Sequence, residues 1–253
     1  MKNTILSARG LCKSFAHNGG QAHILTGMDV DIYEGDFTVI MGASGSGKST
    51  TLYALSGMDR ATAGQVLYKN EDIVKMNEKK LAGLRSKDFG FIFQQMHLVS
   101  NLSLLENITV PGYLNKEKSA KEIDDRAEML LKKMGIDHIK THLPSQCSGG
   151  EMQRCAIARA VIHEPKLLFA DEPTGALNKK NTTEVLDLLT DLNRNGQSIL
   201  MVTHDGRAAC RANRILYIED GKIISDLELS PYTKEEEKSR ETQVNAWLTS
   251  LSW

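Results

Sequence analysis

Short apolar runs alternate with turn sequences over the first forty residues. The runs span residues 5–12, 23–32 and 37–41, and glycine-containing polar triplets at 18–20 and 34–36 separate them. Glycine beside polar residues is typical of tight turns. The pattern predicts a hairpin-rich, antiparallel β subdomain.

The middle of the chain changes to helical periodicity. A strand at 66–68, a charged helix at 77–87 and an apolar strand at 89–93 come first, and residues 103–164 are then mostly helical in pattern. Ser119 and Glu122 fit a capping box. The apolar residues that follow at helical spacing are Ile123, Ala127, Leu130, Leu131 and Met134. This stripe predicts a helical subdomain, at about residues 96–164, inserted between strands of the core.

Strands and helices alternate again beyond residue 165. Apolar strands are predicted at 166–170, 198–202 and 214–218, with helices at 181–195 and just after Asp205. Such alternation is typical of a mainly parallel sheet covered on both faces. The fold class is therefore predicted to be α/β.

The C-terminal segment, residues 226–253, predicts an amphipathic helical extension. Thr233 and Glu236 fit a capping box just after a proline, and an apolar stripe follows. The stripe consists of Val244, Trp247, Leu248 and Leu251. It either packs back on this chain or docks on a partner. We favour docking, because several core strands already have helices to cover them and tryptophan is an effective anchor.

Composition narrows the class of protein. The formal net charge of −1 gives no indication of a surface for polyanions, so nucleic acid is not an expected partner. The widely spaced cysteines at positions 12, 147, 155 and 210 fit reduced thiols of a cytosolic protein. No signal peptide is evident at the first residue, and no apolar run approaches the ~20 residues of a transmembrane helix.

The strand at 37–41 runs into a glycine-rich loop and then a helix. Gly42, four spacers, Gly47, Lys48 and Ser49 match the P-loop pattern, in which backbone N–H groups surround phosphates. Lys48 is expected to reach the β- and γ-phosphates and the Ser49 hydroxyl to bind Mg²⁺. The predicted ATP contacts in this loop are Gly42, Ser44, Gly45, Gly47, Lys48, Ser49 and Thr50. The alternative, an ordinary glycine-rich turn, does not explain the strand and helix on either side.

Polar residues follow three other apolar strands. Asp171 and Glu172 end the strand that starts at 166, Gln94 follows 89–93 and His204 follows 198–202. In a P-loop ATPase, Asp171 would hold the Mg²⁺ shell and Glu172 would polarise the attacking water. Gln94 would touch both Mg²⁺ water and the attacking water, and His204 the γ-phosphate. The alternative for each is an ordinary polar residue at a strand end.

A second glycine-preceded helix begins near Ser148, Gly149 and Gly150. It is either an ordinary N-cap or a second anion site. One nucleotide does not need two such sites in one chain, but two copies arranged head to tail would use both.

The ordered motifs resemble an ABC-transporter ATP-binding subunit over about residues 4–225. They are Walker A at 42–49, Gln94 of the Q-loop, 147–151 at the signature position, Walker B ending at Asp171, then Glu172, and His204 of the switch loop. The resemblance implies a P-loop NTPase (ABC ATPase) core in residues 1–225, ATP hydrolysis with Mg²⁺, and two ATPs between antiparallel subunits. Each site would join one subunit's P-loop to Ser148 and Gly150 of the other.

The resemblance also assigns Phe15 to the adenine-stacking position. From the sequence alone, the alternative is that the ring of Phe15 belongs to the hydrophobic core. Three positions depart from the family pattern. Cys147 and Glu151 replace the first and last signature residues, and Asn178 replaces the usual D-loop aspartate.

Residues 41–50 and 171–177 resemble the branch whose permeases are FtsX-like, and the tail looks most like the bacitracin-type group. This implies an ATPase that is bound at the cytoplasmic face of the membrane through a permease with a large extracellular domain. The ATPase would act in antimicrobial peptide resistance or sensing, and the permease would link it to a two-component histidine kinase. The alternatives are a lipoprotein-release or cell-division ATPase of the same branch, and a permease-free ABC ATPase of the iron-sulfur assembly type.

Overall fold

The structure, a computed structural model, describes residues 2–17, 20–114 and 117–251. Its strands are β1 (Thr4–His17), β2 (Gly20–Tyr33), β3 (Phe37–Met41), β4 (Ala63–Tyr68), β5 (Glu71–Asp72), β6 (Phe89–Ile92), β7 (Leu167–Asp171), β8 (Ser198–Val202), β9 (Arg214–Glu219) and β10 (Lys222–Glu228). Its α-helices are α1 (Lys48–Leu55), α2 (Glu78–Asp88), α3 (Leu104–Leu114), α4 (Ala120–Lys133), α5 (Gly149–Ala160), α6 (Lys179–Arg194), α7 (Gly206–Ala209) and α8 (Glu237–Ser250). Short 3₁₀ helices span Ile73–Lys75, Asp137–Ile139 and Pro144–Gln146. Asn18 and Gly19, part of a predicted turn, lie outside the described residues.

The first of two compact units comprises residues 1–81 and 193–253. It contains an antiparallel sheet of strand order β2-β1-β4-β5, which confirms the predicted β opening. In its other sheet β3 lies parallel to both β8 and β9, and β10 pairs antiparallel with β9. Strands β3 and β8 are buried along their whole length, which is why their sequences are continuously apolar.

The second unit comprises residues 82–192. Strands β6 and β7 pair in parallel, and helix α3 packs against α4 and α5. The capping box at the start of α4 is present: the amide N–H and the hydroxyl of Ser119 donate to Glu122, and the amide of Glu122 donates back to Ser119. The predicted stripe on this helix is buried. Parallel pairing in both units confirms the predicted α/β class.

The C-terminal helix corrects two expectations. It begins at Glu237, and Glu236 occupies the N-cap without a side-chain bond, so the predicted capping box of Thr233 with Glu236 is wrong. The apolar stripe packs back on its own unit: Val244 is completely buried, Leu248 is nearly so, and the indole N–H of Trp247 donates to Ser225 Oγ at 3.2 Å. The structure therefore supports the alternative in which this chain covers its own stripe.

The cysteines are free thiols, in line with the absence of a disulfide pattern in the sequence. Burial raises the pKa of Cys155 to about 12 and that of Cys210 to about 11, so both stay protonated and unreactive at neutral pH. Among the described residues, no helix combines the length and apolar character needed to cross a bilayer.

Candidate functional site: the P-loop and the ABC motifs

The P-loop leaves the carboxyl end of β3 and leads directly into α1. Gly47 is the N-cap of α1, and its φ of 103° lies in the left-handed region that glycine adopts without strain. It provides no side-chain cap, so the N–H groups of the first helical turn are directed toward the loop. At Gly42, an added Cβ would lie 2.3 Å from the carbonyl oxygen of Ile218. Both glycines are therefore required by the backbone itself.

Lys48 places a cation inside this loop. Its side chain is buried, and its ammonium donates to the carbonyls of Gly42 at 2.8 Å and Ala43 at 2.9 Å. An uncapped helix N-terminus, close-packed glycines and a buried lysine together are the donor set that phosphates require. Ser49 lies in the first turn of the same helix.

His204 lies at the same edge of the sheet as the P-loop. Strands β3 and β8 are parallel, with Ile40 opposite Val202, and His204 follows β8 by two residues. The amide of Thr203 still donates to the carbonyl of Ile40 at 3.2 Å. Asp205 then caps α7 by accepting from the amide of Arg207 at 2.9 Å. The exposed His204 is thus fixed between a strand end and a capped helix.

Phe15 is an exposed ring rather than part of the core. Its side chain is 43% exposed, so the interpretation of Phe15 as a core residue is wrong. The ammonium of Lys13 lies 4.7 Å from the ring centroid and pairs with Asp59 at 2.5 Å. The exposure of the ring is compatible with the stacking role implied by the family resemblance.

In the second unit, Gln94, Asp171 and Glu172 leave neighbouring strand ends. Strands β6 and β7 are parallel with Ile92 opposite Ala170, so both chains emerge at one edge. Asp171 is 9% exposed. Glu172 has a φ of 46°, a left-handed conformation that strains a non-glycine residue by about 1–3 kcal/mol. Strain of this kind concentrates at functional sites, which favours a chemical role for this carboxylate.

A tight turn brings Gln94 next to the segment of Glu172. The amide of Gly175 donates to the carbonyl of Glu172 at 3.0 Å. A Cβ added at Gly175 would come within 2.9 Å of Nε2 of Gln94. The Gln94 amide therefore packs on the turn that begins at Glu172. No pattern in the sequence indicates this close approach.

Ser148 caps helix α5 through a full capping box. Its amide N–H and its hydroxyl each donate to a Glu151 carboxylate oxygen at 2.7 Å. The hydrogen bond from the Ser148 amide, and after it the one from the Ser148 hydroxyl, hold the pKa of Glu151 below its usual value. This carboxylate is therefore ionised at neutral pH. The predicted N-cap is therefore present, and the hydroxyl proton that a phosphate would require is shared with Glu151.

Asn178 and Asn181 connect the D-loop position to the signature helix. Asn178 Oδ1 accepts from the amide of Asn181 at 3.0 Å at the start of α6. A Cβ added at Gly150 would lie 2.5 Å from Cγ of Asn181. Because asparagine and aspartate cap helices equally well, the departure at Asn178 changes the local charge and keeps the cap.

The chain belongs to the ABC transporter family, whose model matches residues 25–175. It is an ABC ATPase domain, a class of enzyme that uses ATP with Mg²⁺. The fold is similar to a dimeric ATP-binding cassette in a post-hydrolysis state bound to ADP and Pi, with a TM-score of 0.83 and 34% identity over 90% of this chain and 100% of that one. It is also similar to cbiO1 from Clostridium perfringens, part of the ABC transporter complex cbiONQ, with a TM-score of 0.80 and 28% identity over 99% of this chain and 98% of that one.

Two curated relatives are macrolide export ATP-binding/permease proteins named MacB. The protein from Wolinella succinogenes is 41% identical over 88% of this chain, and the one from Bradyrhizobium diazoefficiens is 41% identical over 89%. The chain spans about a third of the length of these relatives, since it covers 34% of each.

Proposed function

We propose that this chain is the ATP-hydrolysing subunit of a transporter with an FtsX-like permease, acting at the cytoplasmic face of the membrane in antimicrobial peptide resistance or sensing. The observation that carries the proposal is the buried Lys48 in an uncapped P-loop, with His204 at the same sheet edge. The relatives, whose names combine ATP binding with a permease, support the transport role.

The proposed chemistry assigns one task to each residue. Lys48 and the loop amides bind the phosphates, and Phe15 stacks on adenine. Glu172 accepts a proton from the attacking water, since a carboxylate within reach of that water serves as general base. His204 contacts the γ-phosphate. When bound, Mg²⁺ neutralises phosphate charge, and its ligands would be Ser49, Asp171 and, through water, Gln94.

We also propose that two copies share their ATP sites, with Ser148, Gly149 and Gly150 of one copy facing the P-loop of the other. The solved cassette that this chain resembles is dimeric. In the present chain Ser148 is an exposed residue at the start of α5, which supports its access to a partner's phosphate.

Mixing two inactive variants tests the shared sites. Ser148→Arg blocks the signature position and Lys48→Ala removes the phosphate cation, so each variant alone should hydrolyse almost no ATP. In a dimer of one variant with the other, one of the two sites joins an intact P-loop to an intact signature. ATPase activity should therefore reappear on mixing. A mixture as inactive as its components would argue for sites completed within one chain, or for an obligatory link between both sites that Asn178 modifies.

The permease contact is proposed at a cleft of 370 Å³ in the second unit. Phe89, Phe91 and Leu114 are among its apolar lining residues, and Arg85 and His163 are among its basic ones. Leu114 is 79% exposed, which is unusual for leucine. This combination suits a short cytoplasmic segment of the permease that carries apolar and acidic side chains. The permease would bring a large extracellular domain and, through it, a histidine kinase.

The substrate is tested by drug susceptibility in a strain that lacks this chain. We expect increased sensitivity to bacitracin or lantibiotic peptides, restored by the wild-type chain and not by Lys48→Ala. The MacB relatives support a second candidate, macrolide export, which predicts sensitivity to erythromycin instead. A strain whose susceptibility to both drug classes is unchanged, and whose lipoproteins remain in the inner membrane, would point to lipoprotein release.

A further inference from the structure

Two side chains of helix α5 hold the backbone of the segment that carries Gln94. The guanidinium of Arg159 donates to the carbonyl of Met96 at 2.6 Å and to the carbonyl of His97 at 2.7 Å. Nε2 of Gln153 reaches the carbonyl of Phe93 at 3.4 Å. The segment 93–97 is therefore attached to α5 at both of its ends.

This segment contains a strained residue. His97 has a φ of 49°, in the left-handed region that residues with a side chain seldom adopt. The two carbonyls that Arg159 binds belong to the peptide groups on either side of the His97 Cα. A strained conformation persists only where the surroundings determine it, and the forked guanidinium supplies that constraint.

We propose that Arg159 is a positioning residue for ATP hydrolysis, which fixes segment 93–97, and thus Gln94, to the helix whose N-cap is Ser148. The inference rests on the proposed function, which makes Gln94 and Ser148 contacts of ATP. Helix α5 contains 12 residues and is about 18 Å long. Because the helix is continuous, a movement at its N-terminus is transmitted to the backbone beside Gln94.

Arg159 also connects this attachment to the proposed permease contact. Arg159 and His97 are both lining residues of the 370 Å³ cleft. A permease segment bound there would meet the same guanidinium that holds the Met96 and His97 carbonyls.

Arg159→Lys provides the main test. Lysine keeps the charge and loses the rigid fork that binds two carbonyls at once. We expect kcat to fall by about 10-fold with the KM for ATP unchanged within about twofold, because a misplaced Gln94 affects the chemical step more than binding.

Arg126→Lys is the matched control. Arg126 is also half-buried and likewise donates to two backbone carbonyls, those of Ile162 at 2.7 Å and Val161 at 2.8 Å, and it pairs in addition with Glu164 at 2.9 Å. We expect this variant to lose as much thermal stability as Arg159→Lys and to keep its kcat within about twofold. Equal kcat values for the two variants would overturn the inference.

A double-mutant cycle with Gln94→Ala separates positioning from general damage. If Arg159 acts through Gln94, Arg159→Lys should lower kcat no further in the Gln94→Ala background. Independent, multiplicative losses would contradict the proposal. If Arg159→Lys does not fold, Gln153→Met replaces it as the test variant. The buried Oε1 of Gln153 has no hydrogen-bond partner among the described atoms, so this substitution should cost little stability. We expect a kcat below that of Arg126→Lys with the KM for ATP unchanged, and a kcat equal to that of the control would count against the attachment.

Lys48→Ala in the same assay distinguishes failure of the proposed function from failure of the positioning role. Hydrolysis that survives Lys48→Ala would refute the proposed function itself. Hydrolysis that depends on Lys48 while Arg159→Lys matches Arg126→Lys would refute only the positioning role.

Discussion

Glu172→Gln should lower the kcat for ATP by about 10²-fold or more, because the amide cannot accept the proton of the attacking water. Glutamine has the same size, and the left-handed backbone at this position, with a φ of 46°, is set by the turn that the Gly175 amide closes. ATP binding should therefore be preserved. The variant should accumulate as an ATP-bound dimer, which size-exclusion chromatography with and without ATP would detect.

Lys48→Ala is the complementary variant. It removes the buried ammonium that the Gly42 and Ala43 carbonyls hold in the loop, so nucleotide affinity should fall while Glu172 remains in place. Equilibrium ATP binding separates the two effects. Near-normal turnover of the purified Glu172→Gln protein would remove Glu172 from the role of general base.

Truncation after Leu229 should strongly destabilise the chain. The C-terminal helix buries Val244 and Leu248, and loss of each should destabilise the fold by roughly 2–3 kcal/mol. The guanidinium of Arg240 is also buried and donates to the carbonyls of Cys210, Ala212 and Ser230. Truncation removes these hydrogen bonds of a charged donor, which contribute about 1.5–3 kcal/mol each. The sum is comparable with the 5–15 kcal/mol that stabilises a typical domain.

The docking interpretation of the apolar stripe predicts a different result, in which truncation after Asp226 leaves basal ATPase activity largely intact. The structure changes that expectation, because β10 continues to Glu228 and the helix covers its own unit. Thermal denaturation and ATP binding on the same preparation measure the effect. A soluble truncated chain with unchanged Tm and ATP affinity would show that the helix contributes little to the core.

A single-residue comparison refines the truncation experiment. Arg240→Met removes the bonds to the carbonyls of Cys210, Ala212 and Ser230, and Lys238→Met is the control on an exposed position of the same helix. We expect several kcal/mol of destabilisation for Arg240→Met and within about 0.5 kcal/mol for Lys238→Met. Equal stability of the two variants would contradict the proposed role of the guanidinium.

The local elements of this protein can be read from its sequence. The P-loop is readable because its function is carried by consecutive backbone amides, so the glycines and Lys48 occur at fixed spacing. Continuous apolar runs identified β3, β7 and β8, and the capping box at Ser119 predicted the start of α4. These features depend on neighbours within a few residues, which the sequence specifies directly.

The packing of one surface on another is visible only in the folded chain. Helical periodicity shows that Val244 and Leu248 share a face. The same face would suit a partner or this chain equally well, and in the structure it packs on this chain's own unit. The carbonyls that Arg159 contacts lie 62 and 63 residues away in the sequence, and because every residue has a carbonyl, no sequence pattern identifies them. The close approach of Asn181 to Gly150 has no sequence signature either. Periodicity records which residues are apolar and leaves the identity of the opposing surface to the folded chain.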